Sequence, residues 1–212
     1  MSGRVRIKIC GLTRVEDVAS AAAAGADAVG FVCYPASPRY VPPAALAALA
    51  AHVPAFVTPV LLFVNAEPDV VAAAIRSVPL ALLQFHGDEA EAACARHGRP
   101  YLRAVRMSEG VDLLDCERSF PSAVALLADA PATGYGGGGE AFDWSRVPAA
   151  DRRSKPLILA GGLDAANVGA AIARVRPAAV DVSSGVEVSK GIKDAARIRS
   201  FIAAVRAAER TT

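Results

Sequence analysis

The residues of this 212-residue chain that could do acid–base chemistry recur in one setting: each follows a short apolar run. Cys10 follows the run 5–9, and Cys33 follows 28–32 with Arg39 a little beyond it. Asn65 follows 57–64, Gln84 and His86 close the run 80–84, and Arg106 follows 101–105. Asp129 comes just after 123–127. Gly161-Gly162 follows 156–159, and Ser183-Ser184-Gly185 follows 179–182.

Cys10 is a candidate base if it ionises. Lys8 stands two residues earlier, so on a strand both side chains share a face and the ammonium can favour the thiolate. The plainer reading is a buried structural cysteine. Asp129 follows the apolar stretch Val124-Ala125-Leu126-Leu127-Ala128. A carboxyl at such an edge can stay protonated and serve as a general acid, or it can cap a turn. Arg39 sits in Pro35-Ala36-Ser37-Pro38-Arg39-Tyr40, whose prolines stiffen the loop. They could aim its guanidinium at a carboxylate, although a solvated loop arginine looks the same in sequence. His86, in Gln84-Phe85-His86-Gly87, either lines the same mouth or hydrogen-bonds there.

Gly161, Gly162 and Gly185, with Ser183 and Ser184, suit a phosphate, because glycine lets backbone N–H groups approach an anion closely. A third glycine stretch, 134–139, includes Gly138 and Gly139. No Gly-Lys-Ser/Thr follows it, so it is no P-loop, and it reads as a flap, an anion contact or a linker. Cys33, Cys94 and Cys116 read as packing residues. The four cysteines form no C-x-x-C pair and no zinc spacing, and nothing is assigned to His52 or His97.

These groups need a scaffold that brings eight run-ends together. The runs are continuous in Val, Ile and Leu rather than alternating, as strands of a parallel sheet buried on both faces are. Between them, 15–24, 44–51, 69–76, 89–96, 111–118, 165–174 and 195–208 have helical spacing. A short element follows Phe142. Thr13, Asp88 and Asp164 are candidate N-caps. Eight βα units in so short a chain predict an α/β fold, a single (β/α)8 TIM barrel over 1–212. Its active site would stand at the C-terminal ends of the strands. A doubly wound open sheet is the alternative, but Cys10-Gly11-Leu12-Thr13 is not the glycine-rich loop expected after its first strand.

Composition narrows the function classes. At 53% hydrophobic and 21% charged the chain is not disordered. A net charge of +2 without a basic run gives no nucleic-acid groove. The uncharged stretch 41–64 is long enough to span a bilayer, but Pro42, Pro43, Pro54 and Pro59 break it, so no membrane partner is expected. Arg4, Arg6 and Lys8 are followed by no apolar h-region, so no signal peptide is expected and the location reads as cytoplasmic.

Several of these segments together carry a resemblance. Lys8-Ile9-Cys10-Gly11-Leu12-Thr13, Ser37-Pro38-Arg39-Tyr40 and Gln84-Phe85-His86-Gly87 resemble motifs of the phosphoribosylanthranilate isomerases of tryptophan biosynthesis. So do Asp129 with the glycine stretch and Phe142-Asp143-Trp144, then Leu159-Ala160-Gly161-Gly162-Leu163 and Asp181-Val182-Ser183-Ser184-Gly185-Val186-Glu187. The match runs from the first strand to the eighth.

The resemblance implies a barrel without cofactor or metal that converts N-(5-phosphoribosyl)anthranilate to 1-(2-carboxyphenylamino)-1-deoxyribulose 5-phosphate, an Amadori rearrangement. It makes Cys10 the general base, Asp129 the general acid and Arg39 the contact for the anthranilate carboxylate. The phosphate goes to the glycine loops, Gly138 and Gly139 included. The partner is then this small-molecule substrate, with monomer and homodimer both open. Departures from the family pattern are Gly138 where a hydroxyl residue is usual, Cys33 where an aromatic is usual, and Phe85 where Leu is usual.

The rivals are another sugar-phosphate isomerase or epimerase on the same barrel, and a non-catalytic phosphate-binding barrel. An indole-glycerol-phosphate synthase would need a catalytic lysine at a strand end, yet Lys8 precedes Cys10. A ribulose-phosphate epimerase would need metal-binding His and Asp at several strand ends, where only His86 qualifies. A bifunctional histidine/tryptophan isomerase would have Asp in place of Cys10. A dead barrel would lack the acid or the base, and both are present.

Overall fold

Eight short strands pair in chain order, all parallel, and the first closes on the last to make a barrel. They are β1 (Arg6–Cys10), β2 (Ala28–Val32), β3 (Thr58–Phe63), β4 (Leu82–Phe85), β5 (Tyr101–Arg106), β6 (Ala125–Asp129), β7 (Leu157–Leu159) and β8 (Ala179–Val182). The computed structural model describes residues 4–131 and 141–210. The helices around the barrel are α1 (Val15–Ala24), α2 (Pro43–Ala50), α3 (Pro68–Ser77), α4 (Glu91–Ala95), α5 (Leu113–Ser119), α6 (Val168–Val175) and α7 (Ala195–Glu209). Among the described residues, the unit after β6 carries two short 3₁₀ turns, Trp144–Arg146 and Ala150–Arg152. A small hairpin, β9 (Glu187–Ser189) and β10 (Ile192–Lys193), follows β8.

Local chemistry sets several helix ends. α1 stops at Gly25, whose φ of +98° is cheap only for glycine. Pro43 and Pro68 open α2 and α3, where a missing N–H costs nothing. Asp112 and Asp194 accept backbone N–H bonds at the starts of α5 and α7.

Two expected caps differ. The Thr13 hydroxyl donates to Gly191 O instead, and α1 starts after an extended Arg14 with no side-chain cap. Asp88 lies ahead of α4, which begins at Glu91 because Glu89 is drawn into the loop before it. Asp164 does accept the N–H groups of Ala166 and Asn167, one turn ahead of α6.

β4 and β6 begin two residues later than the apolar runs suggest. The first residues of each run are spent on turns, Ala81 N–H to Val78 O and Ala123 N–H to Phe120 O. The shift places Asp129 as the last residue of β6.

Strand alternation divides the apolar residues between two volumes. Ile7, Ile9, Phe31, Leu61, Phe63 and Leu83 face the helices and pack with Leu46, Val71, Ile198 and Phe201. Val60, Leu102, Ala125, Leu127 and Ile158 fill the barrel interior. Toward the C-terminal ends of the strands this filling gives way to buried polar side chains: Lys8, Gln84, His86, Asp129 and Asp181. No helix of the described residues is long and apolar enough to cross a membrane.

Candidate active site

Cys10 ends β1 and packs inside the barrel against Val32, Leu62 and Val64. It has room because β2 carries Gly30 opposite it. A Cβ there would lie 2.7 Å from Cys10 Sγ and 3.2 Å from Lys8 Cε. Lys8 and Cys10 therefore share the inward face, as their spacing suggests. Lys8 Nζ is paired with Asp181 Oδ2 at 2.9 Å across the β1–β8 register. Burial opposes the Lys8 charge, but Asp181 and then Cys10 outweigh it, so the lysine stays protonated.

Burial also pushes the Cys10 thiol above its ordinary range. Lys8 pulls it back, Asp181 adds to the rise, and burial prevails. Burial therefore weighs against a resting thiolate beside the fixed cation, a point the sequence left open between an ionising base and a buried structural cysteine.

Asp129 faces the mouth from β6. Its Oδ1 accepts the N–H of Ala130, and its Oδ2 lies 3.0 Å from His86 Nε2. The other ring nitrogen, Nδ1, is 3.1 Å from Gln84 Nε2, so Gln84, His86 and Asp129 form one chain across β4 and β6. The loop after β4 holds His86 rigidly. Glu89 accepts the N–H groups of Asn65 and Gly87 and binds Arg103, and Arg103 also donates to Gly87 O at 2.8 Å. Gly87 is required there, since a Cβ would fall 2.4 Å from Asn65 Oδ1. Sequence reading missed Glu89 and Arg103. Glu89 signalled only a charge after a strand end, which solvated residues share, and Arg103 lies within β5.

Arg39 is aimed inward. Its Nε and Nη2 grip the Glu187 carboxylate at 2.8 and 2.7 Å, a side-on bidentate pair, and Lys193 Nζ binds the same carboxylate at 2.8 Å. Burial raises the Glu187 carboxyl, but Arg39 and Lys193 outweigh it and hold it below its usual range. Lys193 also donates to Ser183 O and Oγ, and Ser183 Oγ donates to Cys10 O. The β9–β10 hairpin thus ties Arg39 to the end of β1. Gly11, at φ +74°, makes the path for Arg39, because a Cβ would meet Arg39 Cδ at 2.4 Å. Glu187 and Lys193 were not singled out by chemistry in the sequence, since they follow the eighth run by several residues.

The two glycine loops meet. Gly161 adopts φ +82° with Ala130 N only 2.4 Å from where a Cβ would sit, and Gly185 leaves 2.1 Å between such a Cβ and Leu163 O. Among the described residues, the N–H groups of Gly161, Gly162, Ser184 and Gly185 donate to no protein acceptor. They are the donors an anion would use. Gly138 and Gly139 lie outside the described residues.

The structure therefore gathers Cys10, Arg39, His86, Asp129, both glycine loops, Ser183 and Ser184 at one end of the barrel. The family model for N-(5'-phosphoribosyl)anthranilate (PRA) isomerase matches residues 7–204. The chain belongs to this isomerase family.

An N-(5'-phosphoribosyl)anthranilate isomerase from Methylibium petroleiphilum is 60% identical over 97% of this chain and 96% of its own length. The phosphoribosyl anthranilate isomerase of Thermotoga maritima has a TM-score of 0.85 and 41% identity, covering 96% of this chain and 99% of that one. Another solved isomerase of the family is bound to reduced 1-(o-carboxyphenylamino)-1-deoxyribulose 5-phosphate. It has a TM-score of 0.82 and 38% identity, again over 96% and 99% of the two chains.

Proposed function

We propose that this isomerase converts N-(5-phosphoribosyl)anthranilate to 1-(2-carboxyphenylamino)-1-deoxyribulose 5-phosphate with Cys10 as general base and Asp129 as general acid. The observation that carries the assignment is the placing of a thiol with a fixed cation, Lys8, on β1 and a carboxyl in a hydrogen-bonded chain on β6. Three strand positions separate them around the ring one way and five the other. A sugar lying across the mouth would meet the acid on one side and the base on the other.

The steps balance as proton transfers. Asp129, protonated, gives its proton to the ribose ring oxygen as the C1–O bond breaks. The anthranilate nitrogen supplies its lone pair and becomes an iminium. That cation acidifies the C2 hydrogen, and Cys10 becomes the base by releasing its thiol proton to solvent. The Cys10 thiolate takes the C2 proton, leaving an enolamine. The C2 hydroxyl proton leaves to solvent and C1 takes one from solvent, giving the ketone, and Asp129 regains from solvent a proton that balances the one Cys10 released. Each positioned proton transfer contributes roughly 10²–10⁴ in rate.

Binding energy comes from the two ends of the substrate. The unengaged N–H groups of the glycine loops suit the phosphate. Arg39, held by Glu187 through Nε and Nη2, keeps Nη1 for the anthranilate carboxylate. Fixing both ends orients the sugar between base and acid. His86 enters as the partner of Asp129.

The test is turnover itself. Phosphoribosylanthranilate is generated from anthranilate and phosphoribosyl pyrophosphate, and EDTA-treated protein is added. Rapid loss of anthranilate fluorescence is expected, and its absence with folded protein would turn the reading toward another sugar phosphate. The compartment is proposed to be the cytosol. A homodimer, the second assembly open to the chain, would have a surface in Phe56, Leu80 and Val124. These are exposed at the end of the barrel opposite the site, and sedimentation velocity distinguishes the two states.

A further inference from the structure

Gln84 takes part in none of the proton transfers, is wholly buried inside the barrel and cannot touch a substrate. Its Nε2 is 3.1 Å from His86 Nδ1, while its Oε1 is buried with no hydrogen-bond partner among the described residues. His86 Nε2 in turn reaches Asp129 Oδ2 at 3.0 Å. A buried amide oxygen left without a partner is uncommon and calls for a reason.

The two ends of an amide are nearly the same size, so the group fits its pocket either way round. The choice decides where protons sit on its neighbours. With the NH₂ end toward His86, Nδ1 must be a bare acceptor. The neutral ring then carries its hydrogen on Nε2 and donates to Asp129, which must be a carboxylate. With the oxygen end toward His86, Nδ1 carries the hydrogen. Nε2 then offers a lone pair, and Asp129 can keep its proton and donate it to the ring. The second arrangement of the His86–Asp129 pair holds one proton more than the first. That proton is the one the acid step delivers to the ring oxygen.

We propose that Gln84 is a positioning residue whose amide orientation sets the proton load of the His86–Asp129 pair. The oxygen end faces His86 when the acid is loaded, and the NH₂ end faces it when the acid is discharged. The arrangement found here is the discharged one. The orphaned Oε1 is why the amide is not locked, since no bond on its far end holds it. The inference rests on the reading of Asp129 as the general acid.

The experiment uses full-length protein labelled with ¹⁵N-histidine, whose ring tautomers are resolved by long-range proton–nitrogen NMR, alongside kcat and KM. Gln84→Glu presents acceptors at both ends and should fix the Nδ1–H tautomer, lowering kcat tenfold or more because the amide can no longer turn as the acid discharges. Gln84→Met presents none and should release that control, lowering kcat tenfold or more with KM within about twofold. The unsubstituted protein, ligand-free at pH 7.5, should show His86 as Nε2–H, and this part needs no variant to fold.

The same tautomer in the parent and the Glu variant, or parental kcat in either variant, overturns the proposal. Asp129→Asn run in parallel keeps the two ideas apart. Turnover surviving in that variant defeats the acid assignment itself. Its loss, with His86 and kcat indifferent to Gln84, defeats only the role of Gln84.

Discussion

Gly30→Ala tests how closely the thiol is placed, without touching any reacting group. The added methyl would lie 2.7 Å from Cys10 Sγ and 3.2 Å from Cys10 Cα. Heavy atoms of this kind rest at about 3.5–4.0 Å, so the sulfur must move by about 1 Å. The sulfur is the end of a two-atom side chain on a barrel strand. Relief comes only from a new rotamer or from parting β1 and β2, and either one moves the thiol. A misplacement of about 1 Å costs roughly 10²-fold in rate, and overpacking costs about 1–3 kcal/mol of stability. The fluorescence assay should show kcat lowered about a hundredfold while KM changes little, because the phosphate and carboxylate contacts lie elsewhere. Urea unfolding should show the folded state still well populated. A variant with kcat within threefold of the parent would refute the claim that Gly30 sets the position of the base.

Three further outcomes follow from the same geometry. Arg39→Ala should raise KM by about 10–100-fold, the worth of a charge-assisted hydrogen bond, with a smaller change in kcat; a pure kcat loss would argue against a carboxylate contact. Because burial raises the Cys10 thiol and the base must be the thiolate, kcat/KM of the free enzyme should climb with pH between 7 and 9. A flat profile there would remove Cys10 as the titrating base. Burial pushes Cys33 and Cys94 up to about 12 from an ordinary 9.0. Above pH 9 the unfolded chain therefore releases both thiol protons while the folded chain keeps them. Stability should fall by about 3 kcal/mol between pH 9 and 10.5, read by urea melts, and a Cys33→Ala/Cys94→Ala variant should lose much less.

The barrel was legible because its strands are buried on both faces and so read as unbroken apolar runs. The site was legible because each run ends at the barrel mouth, which is where Cys10, Asp129 and the glycine pairs stand. Less legible were features that depend on contacts between distant segments. The Glu187 carboxylate that holds Arg39 comes from a hairpin 148 residues away, and no local pattern announces it. The net rise of the Cys10 thiol reflects burial winning over Lys8, a balance that strand spacing alone does not weigh. Thr13 and Asp88 have cap-forming side chains in cap-like places, but tertiary partners claim Thr13 and a loop delays the helix after Asp88.

The most direct test of the acid–base assignment is turnover by Cys10→Ala and Asp129→Asn, measured beside the affinity of each for the reduced product analogue. The account predicts that each variant loses activity by at least about 10²-fold, the lower worth of one positioned proton transfer, while analogue binding stays within about tenfold of the parent. Near-parental turnover in either variant would contradict it, because that residue would then not be moving the proton assigned to it.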